Sequence, residues 1–236
     1  MLDQINEKLV ALGNESEARF EQRFFKTGPG EYGEGDHFRG IRVPVLRQLA
    51  REYKNASLED ATALLQSRWH EDRLLALFLW IGIFKREVKQ REAIYNLYLA
   101  NTSRINNWDL VDSSAPHIVG AWLWDKERDQ LYALARSQDL WERRIAMLAT
   151  FHFIQKRDFE DALRLAQILR DDRHDLMHKA VGWMLREIGK RDIEHLENFL
   201  NKHHQQMPRT MLRYAIEKLP EAARQSYLKR QTKVEQ

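Results

Sequence analysis

Trp141-Glu142-Arg143-Arg144-Ile145-Ala146-Met147-Leu148 has two relatives in the same chain, Glu71-Asp72-Arg73-Leu74-Leu75-Ala76-Leu77-Phe78 and Met177-His178-Lys179-Ala180-Val181-Gly182-Trp183-Met184-Leu185. Each carries its apolar residues at helical spacing, and a basic stop follows it, at Lys85-Arg86, Lys156-Arg157 or Lys190-Arg191. A step of 36 from Trp108 reaches Arg144 and a further 35 reaches Lys179, while 35 back reaches Arg73. A period of 35–36 residues with two helices in it means stacked helical hairpins, because a lone hairpin cannot bury its apolar face. The sequence therefore predicts an all-α fold, an α-solenoid of HEAT-like helical-hairpin repeats, curved, with a concave basic groove lined by the second helix of each pair. Tetratricopeptide repeats have nearly this period, but their Trp/Gly/Tyr/Pro signature is missing.

Composition agrees with one repeat domain over 1–236. The 236 residues hold only 10 Gly and 5 Pro, and five of the glycines fall between Gly28 and Gly40. The rest is rich in Leu, Ala, Arg, Glu and Gln, all good helix formers. Cysteine is absent, which excludes disulfides, a thiolate nucleophile and Cys-ligated zinc. Met1-Leu2-Asp3-Gln4-Ile5-Asn6-Glu7 lacks the basic-then-apolar profile of a secretory signal. The longest apolar run, Leu74 to Phe84, falls short of the roughly 18–20 residues of a membrane span. A soluble, cytoplasmic protein without a membrane partner is the expectation. The formal net charge of +3 and pI near 9.0 say little about partners until the positions of the cations are considered.

Along the chain, helices are expected at 2–12, 16–25, 45–53, 58–66, 72–84, 87–100, 116–124, 127–136, 140–154, 159–169, 175–188, 193–201, 208–219 and 221–228. Ser57 and Asp139 have the spacing of capping residues, and Pro44 and Pro116 that of first-turn prolines. A frayed tail is expected over 229–236. The glycine-rich loop 27–40 contains Gly28-x-Gly30-x-x-Gly33, which matches a dinucleotide fingerprint on paper. No strand precedes it, and Glu31, Glu34 and Asp36 would repel a phosphate, so it reads as a turn-rich connector.

The positions that break the repeat's apolar logic are the informative ones. Trp108 and Asp112 are four apart and share one helical face. The Trp108 register runs Arg73, Trp108, Arg144, Lys179; the Asp112 register runs Leu77, Asp112, Leu148, Trp183. A packed core would want aliphatic residues there, and indoles, a carboxylate and cations look like a lined surface. Each has an ordinary alternative. Asp112 could cap a helix beginning at Pro116 or pair with an arginine, and a tryptophan in a solenoid is commonly core. His174 and His178 are spaced i, i+4 like metal ligands, but no third ligand sits at motif spacing; His203-His204 reads the same way.

With these residues in view, the chain resembles the bacterial DNA alkylation repair (AlkD-like) family of HEAT-repeat DNA glycosylases. The resemblance spans about Phe20 to Leu219 and is carried by Trp108-Asp109-x-Val111-Asp112, Trp141-x-x-Arg144 and Lys179-Ala180-x-Gly182-Trp183-x-Leu185-Arg186-Glu187. It implies hydrolysis of the N-glycosidic bond of cationic alkylated purines, N3-alkyladenine or N7-alkylguanine, in duplex DNA. It further implies that Asp112 is the essential carboxylate, that Trp108 and Trp183 flank the lesion, and that Arg144 holds the backbone phosphate at the lesion. Phe24 or Phe25 stands where the family often has tyrosine. Arg47, Arg73, Lys179 and Arg186 are candidate phosphate contacts. A monomer acting on alkylated double-stranded DNA, without cofactor or metal, is the first expectation. A non-catalytic DNA-binding HEAT-like solenoid is the alternative, and a protein-binding scaffold a third.

Overall fold

A computed structural model describes residues 1–229; the expected tail therefore lies, from residue 230 on, outside the described residues. The described residues are helical, with no β-strand among them and an isolated parallel bridge between His37 and Trp69. The all-α expectation is met. The chain divides into two compact units, residues 1–118 and the part from 119 on.

Unit 1 holds α1 (Leu2–Leu12), α2 (Glu15–Phe24), α3 (Val43–Glu52), α4 (Leu58–Leu65), α5 (His70–Arg86), α6 (Arg91–Ala100) and α7 (Trp108–Ser114). Its centre is α5, which packs on α3, α4 and α7 and is buried at nearly every position from His70 to Phe84. A helix with no solvent face suits the apolar run Leu74–Phe84. It does not suit His70, Glu71, Asp72 and Arg73, which open the same helix and are also buried. These four staple the glycine-rich loop. Glu71 accepts the backbone N–H groups of Arg39, Gly40 and Ile41 at 2.6–3.1 Å. Asp72 receives Arg39 on both oxygens, at 2.7 and 2.9 Å, while His70 and Arg73 both bond Asp36. The expected connector is thus a structural part of the unit, and one of its acids is buried.

From residue 119 the elements are α8 (Ala121–Leu123), α9 (Asp129–Ala135), α10 (Leu140–Ala149), α11 (Phe151–Gln155), α12 (Glu160–Ile168), α13 (Asp175–Gly189), α14 (Ile193–His203), α15 (Arg209–Ile216) and α16 (Glu221–Leu228). The central helix is α13, which packs on α10, α14 and α15. The three similar segments of the sequence are therefore α5, α10 and α13, the most buried helices of their units. Gly182 lets α13 and α15 approach: a Cβ there would stand 2.5 Å from both the Met211 carbonyl oxygen and the Tyr214 Cβ.

Caps follow the sequence. Ser57 Oγ accepts from the Asp60 N–H at 3.1 Å, and Asp139 Oδ1 from Trp141 and Glu142 at 2.6 and 3.2 Å. Pro116 opens a helical run to Leu123 as expected, but its first five residues, Pro116–Gly120, are π-helical and only Ala121–Leu123 are α-helical. The stretch expected at 140–154 is two helices, α10 and α11, meeting at Thr150, whose hydroxyl bonds the Met147 carbonyl at 2.6 Å. Phe20 and Phe24 of α2 are 58% and 55% exposed, whereas Phe25 just beyond the helix is buried.

Candidate functional site

In unit 1, α7 presents Trp108 and Asp112 one turn apart, both partly exposed. Asn107 caps the helix by accepting the Trp108 N–H at 2.8 Å. The Trp108 ring lies nearly parallel to Phe25, centroids 5.3 Å apart at 20°, and meets Phe24 edge-on at 6.1 Å. Phe20 stacks on Phe24 at 6.2 Å, so an exposed aromatic strip leads from α2 to the indole. Asp112 acts electrostatically on the Tyr98 phenol, which is fully buried and shares a 2.8 Å hydrogen bond with Ser114. Burial first, with Asp112 adding to it, pushes the ionisation of that phenol up, so Tyr98 stays a neutral hydroxyl.

Behind the aromatic strip lies a buried ionic cluster. His70 Nδ1 is 2.9 Å from Asp36 Oδ2 and His70 Nε2 is 2.8 Å from Asp109 Oδ2. Arg73 bonds the other oxygen of Asp36, and Asn107 Nδ2 donates to Asp36 at 3.3 Å. Burial by itself would lower the His70 pKa, but Asp109 and Asp36 overcome it and raise the pKa to about 9. Asp36 answers in the opposite direction: desolvation opposes its ionisation, and His70 and Arg73 still hold its carboxyl below the ordinary range. Two anions and two cations thus cancel in the interior. Phe25 joins this cluster to the surface, since it stacks on Trp108 and also lies 5.0 Å from His70 and 5.0 Å from Phe38. Asn107 and Asp109 flank Trp108 in the chain and are both tied to the cluster. The orientation of the indole is therefore set from below.

In the second unit, Trp183 is partly exposed on α13, donates its indole N–H to Glu187 at 3.3 Å and lies 6.0 Å from the Phe151 ring. Glu187 is buried and is also bonded by Lys190 and Arg191 at 2.6 and 2.9 Å. Arg144 is 4% exposed and donates to the Leu176 carbonyl at 2.5 Å. Lys179 pairs with Asp175 at 2.8 Å, and Arg186 pairs with Glu217.

The sequence pattern of the DNA alkylation repair enzyme family matches residues 5–219, almost the whole chain. The chain belongs to the DNA alkylation repair enzyme family. Among solved structures it is similar to a predicted DNA alkylation repair enzyme from Enterococcus faecalis, at 18% identity and a TM-score of 0.67, covering 89% of this chain and 97% of that one. It is also similar to AlkD2 from Streptococcus mutans, at 19% identity and a TM-score of 0.55, covering 86% of this chain and 97% of that one. At such identities these likenesses establish the fold. No curated protein matches the chain. Among the described residues no helix is long and apolar enough to cross a membrane.

Against this family background the residues singled out from the sequence separate. Trp108, Asp112, Phe24 and Phe25 gather in unit 1, with Phe24 exposed and Phe25 buried beneath the indole. Arg47 is exposed on α3. Arg73 departs from its expected place: it is 4% exposed, and its guanidinium is taken up by Asp36, Asn106 and the carbonyls of Ser67 and Arg68. Its register matched that of Trp108, but it compensates buried charge. Leu77 and Leu148, in the Asp112 register, are fully buried core. The cluster of Asp36, His70 and Asp109 was missed because its members are 34 and 39 residues apart. A usable signal existed in His70-Glu71-Asp72-Arg73, four ionisable residues leading directly into the most apolar run of the chain.

Proposed function

We propose that this protein is a DNA glycosylase that hydrolyses the N-glycosidic bond of cationic alkylated purines, such as N3-alkyladenine and N7-alkylguanine, in duplex DNA. The observation that carries the proposal is the pairing on α7 of a partly exposed carboxylate, Asp112, with a partly exposed indole one turn away. The indole rests on Phe25 and a neutralised ionic cluster. A base that already bears a positive charge needs no protonation to leave. The C1′–N bond breaks with both electrons going to the base, which departs neutral, and cationic character passes to the sugar. A fixed carboxylate and the π-face of an indole both stabilise that charge. Water then adds to C1′ and gives up a proton, for which Asp112 is the acceptor. Trp183 and Arg144 are assigned by family resemblance to the lesion and its backbone phosphate, while Lys179 and Arg186 are candidate phosphate contacts from their charge and register alone.

The test is release of N7-methylguanine from methylated duplex DNA by the wild type and by Asp112→Asn. Release by the wild type, and release slower by on the order of 10²–10³ in the variant at equal DNA affinity, is the expected result. DNA binding without release by the wild type would instead indicate a non-catalytic DNA-binding solenoid.

A further inference from the structure

In the second unit a closed ring of contacts includes the Trp183 indole. Glu187, one turn on along α13, accepts the indole N–H at 3.3 Å. Arg191, just beyond the helix, donates from Nη1 to the Glu187 carboxylate at 2.9 Å and to the Glu187 carbonyl at 2.8 Å. Its guanidinium also lies over the Phe151 ring at 5.7 Å, and Phe151 lies 6.0 Å from the Trp183 ring. The indole is thus held at its N–H edge by a carboxylate and beside its ring by a phenyl group, with Arg191 tying the two together. Lys190 bonds the same carboxylate oxygen as the indole, at 2.6 Å.

Glu187 stands where a carboxylate is disfavoured twice over. It is 6% exposed, and it lies in the last turn of α13, at the negative end of the helix dipole. Burial opposes its ionisation, yet Lys190, Arg191 and the Trp183 N–H hold the carboxyl below its ordinary range. A buried ion pair adds little stability over apolar residues of similar size; what this one supplies is a fixed geometry. The recipient of that geometry is a partly exposed indole, whose N–H water could have satisfied. Trp80 gives the contrast, being fully buried with its N–H unpartnered. An aromatic ring is positive at its edge and negative on its faces. Engaging the edge with an anion leaves the faces to meet a cation.

We infer that Glu187 is a positioning residue for Trp183, locking the indole with its face ready for a cationic alkylated base and thereby setting a preference for damaged over undamaged duplex. The inference rests on the reading that places Trp183 at the lesion, and it is independent of whether the base is then released.

The experiment compares the wild type, Glu187→Gln, Trp183→Phe and the double variant against two labelled duplexes by fluorescence anisotropy. One duplex is undamaged; the other carries a single N7-methylguanine on a fluorinated, cleavage-resistant deoxyribose. Single-turnover release of N7-methylguanine from ordinary methylated duplex is measured in parallel, and unfolding curves verify that each variant is folded. Lys190 is exposed and Arg191 partly so, and both can turn to water once the carboxylate is gone. The glutamine amide has one acceptor oxygen for three donors, so the indole loses its place to the cations. Glu187→Gln is expected to lower the ratio of damaged to undamaged affinity on the order of tenfold, with release slowing by a similar factor and undamaged affinity at the wild-type value. In the Trp183→Phe background the same substitution should change nothing further, because no N–H remains to be held. A merely structural Glu187 would weaken binding to both duplexes alike, and in either background. That outcome overturns the inference, as does a wild-type ratio in Glu187→Gln or a wild type with no preference for the damaged duplex. Should glutamine unfold the protein, Glu187→Leu, which removes charge and acceptor together, takes its place. If the wild type prefers the damaged duplex but releases no base, the glycosylase proposal falls and the affinity ratio still decides the role of Glu187.

Discussion

His70 Nε2 and Asp109 Oδ2 are 2.8 Å apart in the interior of unit 1, and the other ring nitrogen faces Asp36 at 2.9 Å. A neutral imidazole has one N–H and could donate to only one of these carboxylates, so the ring holds both by being protonated. Removing it in His70→Ala leaves two carboxylates buried with Arg73 as their remaining cation. Breaking a buried ion pair from one side costs roughly 3–5 kcal/mol. Urea unfolding at pH 6 should show a loss of that order, and a loss below about 1 kcal/mol would mean the cluster is not ionised as described.

The same proton sets a pH dependence. Folding raises the His70 pKa from 6.5 to about 9. A group whose pKa rises on folding contributes its stability in full below the unfolded value and loses it as pH passes through the folded one. The wild-type unfolding midpoint should therefore fall between pH 6.5 and 9, and a flat midpoint across that window would contradict the assignment.

Glu21 adds a second decline that can be separated from the first. Burial, then the charge of Glu71 and a hydrogen bond shared with its carboxyl group, raises its pKa from 4.5 to about 8. Its contribution is complete below pH 4.5 and disappears as pH rises through about 8. Glutamine mimics the protonated acid and has nothing to lose. Glu21→Gln should gain on the wild type steadily from pH 5 to pH 8.5 in parallel unfolding curves, and a constant offset would count against a protonated Glu21.

These groups also mark the limit of what the sequence made legible. Local signals carried through: apolar spacing located α5, α10 and α13, and Ser57 and Asp139 were readable as caps because a cap involves only its own helix. The candidate pair Trp108 and Asp112 was readable for the same reason, being one turn apart. Pro116 was readable as a helix start, but a first-turn proline does not say whether the run it opens is α or π, and here it is π-helical as far as Gly120. Arg73 was misread because register places a side chain on a face without saying whether a loop covers that face. The loop's Asp36 covers it, and nothing within either segment predicts their meeting.

Gly182 tests the packing of α13 on α15 independently of charge. A methyl group at this position would press on the Met211 carbonyl and Tyr214 Cβ, neither of which can swing aside as a side-chain tip can. Overpacking of this kind costs about 1–3 kcal/mol. Gly182→Ala should lower the thermal midpoint, and because Trp183 follows directly, it should disturb Trp183 too. An unchanged midpoint would show that α15 gives way freely.

Asp109 and Asp112 lie three residues apart on α7 and should fail in opposite ways. Asp109 is buried and holds His70, so Asp109→Asn removes one of the two charges that keep the imidazole protonated. It should destabilise the fold and shift the alkaline decline toward lower pH, with activity falling in step with the folded fraction. Asp112 is partly exposed and belongs to the candidate site. Asp112→Asn should unfold close to the wild type yet lose on the order of 10²–10³ in single-turnover base release, the scale seen when one electrostatic stabiliser of a transition state is removed. Measured together, the unfolding midpoints and single-turnover rates distinguish a carboxylate that builds the site from one that acts in it. Loss of stability without loss of rate in Asp112→Asn would assign both acids to the scaffold and leave the glycosylase proposal without its reacting group.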